Sequence, residues 1–315
     1  MSAGNHQQWL KGQNYPTFAH GDAFVFLGSC FSDELGQIIR SNGFESLVNP
    51  GGTIFHPLAI AKLIEWSFDE SISFRTLKQE DIFFSWELAG SVYGMSADEL
   101  SMKMDKLRFE LRNFLRKSNQ LFVTFGSAWA YRLLSDGEIV ANCHKQSSHL
   151  FQKENSSVEE IVTRWKSIIS LLKKENPSLS IFFTVSPVRH IKDGYIENNR
   201  SKARLLLAVE ELQEESGVFY FPAYEFVLDD LRDYRFYKSD GVHPTPEAVL
   251  ELWDFFQSSF FTEETIDLLL QWQQIRLAEQ HKILYPKSQA ARKHMETTMK
   301  RKAQFLSAHP LFHLP

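Results

Sequence analysis

The sequence predicts an α/β protein: a three-layer α/β/α sandwich on a mainly parallel sheet, with a helical extension at its C-terminal end. Three observations carry this. First, short, almost wholly apolar runs at 24–27, 121–125, 181–185 and 218–221 have the length and composition of buried strands, and 44–48 has the length of a further short one. Second, helical spacing of apolar residues separates these runs, which implies parallel strands with helices on both faces. Third, turn residues stop the runs: Gly28, Gly126, Pro187 and Pro222.

In chain order, the first run enters Gly28-Ser29-Cys30-Phe31-Ser32, after which Leu35, Ile38 and Ile39 give a helix that Gly43 stops. A short strand at 44–48 ends in Asn49-Pro50-Gly51-Gly52-Thr53. A helix follows from Pro57 to about Trp66. Residues 76–86 alternate weakly and suit a hairpin or insertion. Leu100, Met104, Leu107, Leu111 and Leu115 place a helix over 97–117. After the strand at 121–125, Ser157-Val158-Glu159-Glu160 has the form of a capping box, and the helix it opens ends at Asn176-Pro177. A strand at 181–185, a helix over 199–216 and a last strand at 218–221 complete the sheet. Thr245-Pro246 then starts the next helix. Helical patterning resumes at Thr262 and passes into a basic stretch with Lys282, Lys287, Arg292, Lys293, Lys300, Arg301 and Lys302. The expected division is therefore a sheet domain over 1–261 and a helical, basic extension over 262–315. The extension reads as a solvated or packed arm, and as a contact surface for a homo-oligomer.

The chain has 315 residues, 43% of them hydrophobic, so a large core is available and disorder is excluded. A net charge of −5 argues against a broad nucleic-acid surface. No apolar run approaches the ~18 residues of a membrane span. The polar start MSAGNHQQWLKGQNYP lacks the apolar core of a secretory signal, so a cytoplasmic location is expected. Two cysteines form no disulfide framework. The 27 phenylalanines read as core, with an aromatic substrate pocket as the sharper alternative. Metal-binding spacings, a Walker loop and a strand-borne G-x-G-x-x-G are all missing, so no metal or cofactor is expected.

Two constellations carry chemistry. In the turn Gly28-Ser29-Cys30, the third residue opens a helix at the carboxyl edge of the sheet. Helix N-termini favour thiolates, so Cys30 is placed like an activated nucleophile, with Ser29 beside it. Near the end of the sheet region stands Ser239-Asp240-Gly241-Val242-His243-Pro244-Thr245. An Asp three residues before a His can hold one ring nitrogen and leave the other as general base. On the same edge, the planar fork of Arg189 suits a substrate carboxylate or phosphate. His190 beside it and His56 in the loop after the second strand are further substrate-contact candidates.

The two motifs together resemble the SGNH, or GDSL-type, hydrolases. Gly28-Ser29-Cys30-Phe31-Ser32 is similar to the signature of the GSCFA family, as are Ser186-Pro187-Val188-Arg189-His190 and Tyr234-Arg235-Phe236-Tyr237. The resemblance covers roughly 20–260 and implies a flavodoxin-like SGNH fold. It also implies hydrolysis of a small-molecule or glycan-linked acyl ester or thioester, or acyl transfer. Position by position, Cys30 stands where the superfamily has its serine, Ser29 where it has aspartate, and Asp240 and His243 match its D-x-x-H. Gly52, or Gly51, matches the glycine that lends an amide to the oxyanion. The superfamily's G-x-N-D block is broken: Gly126-Ser127-Ala128-Trp129 has Ala128 at the asparagine. Ser127, Asn142 and His144 are the candidates to replace that donor. The rival from another class is a binding module on the same scaffold, recognising a carbohydrate or acylated ligand without turnover.

Overall fold

The computed structural model describes Trp9 and residues 14–314. Its strands are β1 (Phe24–Gly28), β2 (Ser46–Val48), β3 (Thr76–Gln79), β4 (Ile82–Ser85), β5 (Tyr93–Gly94), β6 (Gln120–Phe125), β7 (Trp129–Leu133), β8 (Phe151–Asn155), β9 (Ser180–Val185) and β10 (Val218–Tyr220). Its longer helices are α1 (Cys30–Ser41), α2 (Pro57–Phe68), α3 (Ala97–Lys117), α4 (Val158–Glu175), α5 (Tyr195–Leu212), α6 (Pro246–Phe260), α7 (Glu263–Gln280) and α8 (Gln289–Ala308).

The five predicted strands form one sheet in the order β10-β9-β6-β1-β2, every neighbouring pair parallel. Counted along the chain, that is the flavodoxin-like order, in which the chain winds one way from β1 to β2 and then the other way from β6. In sheets of this order ligands bind at the carboxyl ends of the strands where the two directions part, which are here β1 and β6. Register fixes which residues meet there: Gly28 pairs with Thr124, and Phe125 with Val185. The loops leaving β1, β6 and β9 therefore begin side by side.

Alternation along the strands divides the core. Val25, Leu27, Val123, Phe125 and Phe183 share one buried cluster with Trp165 of α4 and Ile60 and Ile64 of α2. The opposite face carries a row of stacked rings. Phe26 lies 5.2 Å from Phe122, Phe122 4.7 Å from Phe182, and Phe182 5.0 Å from Phe219. Pairs of this kind add ~0.5–1.5 kcal/mol each beyond their burial. Much of the phenylalanine content is thus sheet core.

Two small antiparallel sheets decorate the main one. The hairpin expected at 76–86 is β3–β4, extended by β5. The β7–β8 pair was not anticipated from the sequence, because FQKEN at 151–155 neither alternates nor forms an apolar run. Its cross-strand contacts are charged: Arg132 pairs with Glu154, and Lys153 sits over the rings of Trp129 and Tyr131.

Two compact units emerge: Ala23–Gln37 with Ser46–Leu252, and Met1–Asp22 with Ile38–Glu45 and Trp253–Pro315. The extension expected over 262–315 falls in the second of these units, with the segments around it. Within its unit, Phe18 stacks on Phe260 at 4.9 Å, Phe312 stacks on His20 at 5.1 Å, and the Trp272 indole donates to Ser41 O at 3.0 Å. These contacts join three chain segments into one core. No helix among the described residues is long and apolar enough to cross a membrane. Every candidate site residue lies in the sheet unit.

Candidate active site

At the end of β1, Gly28 has φ +133°, and a Cβ there would stand 2.2 Å from Thr124 O. Only glycine fits. Ser29 is 1% exposed; its N–H donates to Thr124 O at 3.2 Å and its Oγ accepts from Phe31 N–H at 3.3 Å. It serves as the N-cap of α1, so its hydroxyl is engaged in holding the helix start. Cys30 opens the helix and is half-buried, with a free thiol. The expected depression of its pKa is reversed. Burial pushes the thiol up, and Glu34 and Asp33 push it further, against the helix-end N–H groups of Phe31 and Cys30. Near neutrality Cys30 is a thiol.

The D-x-x-H loop is a compact turn. His243 Nδ1 lies 2.7 Å from Asp240 Oδ2, and Asp240 Oδ1 accepts from the N–H groups of Val242 (2.8 Å) and His243 (3.0 Å). Those two backbone donors, then the imidazole, hold the Asp240 carboxyl well below the usual range. The ring is half-exposed, and its Nε2 has no hydrogen-bond partner among the described residues. Two contacts locate this loop. His243 and Lys238 act electrostatically on Glu34, which stands one helical turn beyond Cys30 on the same side of α1. Tyr237 carries the guanidinium of Arg189 over its ring at 5.0 Å.

The loop after β2 is pinned by Asn49, whose Oδ1 accepts from Gly28 N–H at 2.8 Å and whose Nδ2 donates to Asp33 at 2.8 Å. Asn49 O also accepts from Gly52 N–H at 2.8 Å. The Gly52 amide therefore closes a turn and is not free for an oxyanion. The Gly51 N–H meets no acceptor among the described residues, so of the two glycines Gly51 is the one with a donor to offer.

The GSCFA family model matches residues 23–256. The chain belongs to the GSCFA family. No curated protein matches it. Among solved structures it resembles an acetyl xylan esterase (Est2A) from the rumen bacterium Butyrivibrio proteoclasticus, at 12% identity and a TM-score of 0.32. That match covers 78% of this chain and 66% of the esterase, just under two thirds of its length.

In this GSCFA chain the loop after β6 is fully occupied. Ala128 is buried; its N–H donates to Ser201 Oγ at 2.8 Å and its carbonyl accepts from Ser156 N–H at 2.9 Å. Ser127 Oγ bonds Ser201 Oγ and accepts from Trp129 N–H. His144, with its Nε2 2.6 Å from Ser85 O and its ring stacked on Phe84 at 4.1 Å, is a structural histidine. Asn142 differs. Its Oδ1 accepts from His144 N–H at 2.7 Å, while its Nδ2 has no hydrogen-bond partner among the described residues.

Beside this loop lies a cavity of about 230 Å³. Its lining brings together Gly126, Ser127, Asn142, Cys143, Arg189 and His190, with Phe55, Trp129 and Tyr131 as aromatic walls. The lining includes neither His144 nor Gly52, and none of Cys30, Ser29, Asp240 and His243. His56 borders it as the N-cap of α2: Nδ1 accepts from Leu58 N–H at 3.2 Å, and Nε2 lies 3.3 Å from Ala128 O. Burial pushes its pKa down to about 3, so the cap is held neutral.

Sequence reasoning missed three residues. Asn49 was visible only as part of a turn, and Glu34 only as an i+4 neighbour of Cys30. Lys202 gave no signal. It is 1% exposed in the middle of α5, and its Nζ donates to Gly126 O at 2.7 Å and Ser186 O at 2.6 Å. Both carbonyls belong to cavity residues, and the amine is within electrostatic reach of Cys30. Lys202 thus bonds two residues of the cavity lining and lies within electrostatic reach of the Gly28-Ser29-Cys30 turn. Among the described residues no group of three or more His, Cys, Asp or Glu side chains could hold a metal ion.

Proposed function

We propose that this chain cleaves a short acyl ester or thioester with Cys30 as nucleophile. The observation that carries the reading is the Asp240–His243 pair, 2.7 Å apart, with Nε2 unbonded among the described residues and with Glu34, one turn beyond Cys30, within electrostatic reach of the imidazole. His243 Nε2 takes the Sγ proton as sulfur attacks the carbonyl carbon. Asp240 holds the ring and stabilises the imidazolium. Because burial and two carboxylates keep Cys30 protonated, proton transfer accompanies attack instead of preceding it. The amides of Cys30 and Gly51 are the donors for the developing oxyanion. His243 returns the proton to the departing alcohol or thiol, which leaves an acyl thioester on Cys30. Water then gives a proton to His243 and its oxygen to the acyl carbon. Sulfur departs, recovers the proton and releases the acid; an alcohol in place of water gives acyl transfer.

The test uses p-nitrophenyl acetate with the wild type, Cys30→Ala, Cys30→Ser and His243→Ala. His243→Ala should abolish turnover with a nearly unchanged thermal midpoint, because the ring is half-exposed. Cys30→Ala should be inactive, and Cys30→Ser slow. Full activity in Cys30→Ala refutes the reading. One feature favours the non-catalytic alternative: Ala128 stands where the superfamily's oxyanion asparagine would be. A wild type that turns over neither esters nor thioesters supports that binding module.

A further inference from the structure

We propose that the cavity after β6 and β9 is an anion-selective subsite. It takes a small aromatic or short-chain group that carries a carboxylate or phosphate, held by Arg189. Four observations lead there. Arg189 is half-buried in the lining, and none of its N–H donors meets an acceptor among the described residues. Its one ring contact, with Tyr237, satisfies the face of the guanidinium and not its edge.

Acceptors are not scarce elsewhere. Arg75 pairs with Glu87 and Asp136, Arg132 with Glu154 and Glu160, and Arg164 with Glu65. In a chain of net charge −5, a half-buried arginine without a carboxylate is a vacancy for an external one.

The surroundings repeat the sign. No Asp or Glu lines the cavity. Lys153, Lys192 and Lys202 all act on His190 at its rim, opposed by Asp193, which is itself paired with Lys153. Lys192 also acts on Cys143 in the wall. The size limits the ligand. An apolar cavity of ~150 Å³ holds benzene, so about 230 Å³ fits one ring or a short chain with its anionic head. The walls of Phe55, Trp129 and Tyr131 suit either.

This deepens the hydrolase reading, and rests on it only for which bond is cut; the binding itself needs no turnover. The probes are benzoate, phenyl phosphate and the neutral benzyl alcohol, titrated calorimetrically into the full chain carrying Cys30→Ala. At least one anion should bind tenfold or more tightly than benzyl alcohol, with the advantage shrinking as salt is added. Preference between benzoate and phenyl phosphate decides carboxylate against phosphate. Arg189→Gln should remove the advantage without weakening benzyl alcohol, and Arg189→Lys should restore part of it. Benzyl alcohol binding as tightly as both anions overturns the proposal, as does an advantage that survives Arg189→Gln. Anion selection by a protein that hydrolyses nothing upholds the subsite while refuting the hydrolase. Ester hydrolysis with no anion preference in binding does the reverse.

Discussion

Lys202 offers the sharpest physical test of the site. Its ammonium is enclosed between two carbonyls, and burial pushes its pKa down to about 7 from an ordinary 10.5. Between those values the unfolded chain holds a proton that the folded chain has lost. Stability must therefore rise with pH through this window, by up to ~1.4 kcal/mol per unit. At lower pH both states are protonated, and the full cost of the buried charge is present. The gain from pH 6 to pH 9.5 works out at about 3 kcal/mol. Lys202→Met removes the titration and leaves Gly126 O and Ser186 O without this donor, a loss of ~1–3 kcal/mol per group that does not depend on pH. Urea unfolding of both proteins in a Cys30→Ala background, which silences the one thiol acting on Lys202, gives the difference at each pH. The lysine protein should gain on the methionine protein steadily from pH 6 to 9.5. A difference flat over that range would mean that the two carbonyls offset burial entirely, and the argument would fail.

Other outcomes follow from the same accounting. Alkylation of Cys30 by iodoacetamide should titrate above the ordinary thiol range, and Glu34→Gln should lower its midpoint by removing a negative neighbour; a higher midpoint in that variant contradicts the assignment. Gly28→Ala should fail to fold or lose several-fold in soluble yield, given the 2.2 Å approach to Thr124 O, and a native thermal midpoint would disprove the close contact. His56→Ala should cost ~0.5–2 kcal/mol through the lost cap, with His56→Asn recovering part; chemical denaturation reads both. Asn142→Ala should reduce kcat by ~10²-fold if its amide serves the oxyanion, whereas a change confined to KM would assign it to binding.

What the sequence alone determined was local in origin. Four short apolar runs, at 24–27, 121–125, 181–185 and 218–221, announce strands of the sheet because a strand covered on both faces has no polar face to show. Gly28-Ser29-Cys30 and Asp240-x-x-His243 are readable because each is a few residues long and its geometry closes on itself. What only the tertiary structure decided was non-local. The sequence favours Cys30 over Ser29 by register alone, and only the structure shows that the Ser29 hydroxyl accepts from Phe31 N–H. Gly51 and Gly52 are told apart by one turn closed on Asn49. The helix start alone argues for a thiolate at Cys30, and desolvation with Glu34 and Asp33 reverses that sign. Lys202, in a helix with no anomaly of pattern, is buried because two strand-end carbonyls face it from residues 76 and 16 positions away. Hydrogen-bond occupancy and desolvation depend on what the fold brings alongside a group, and no window of sequence around that group contains it.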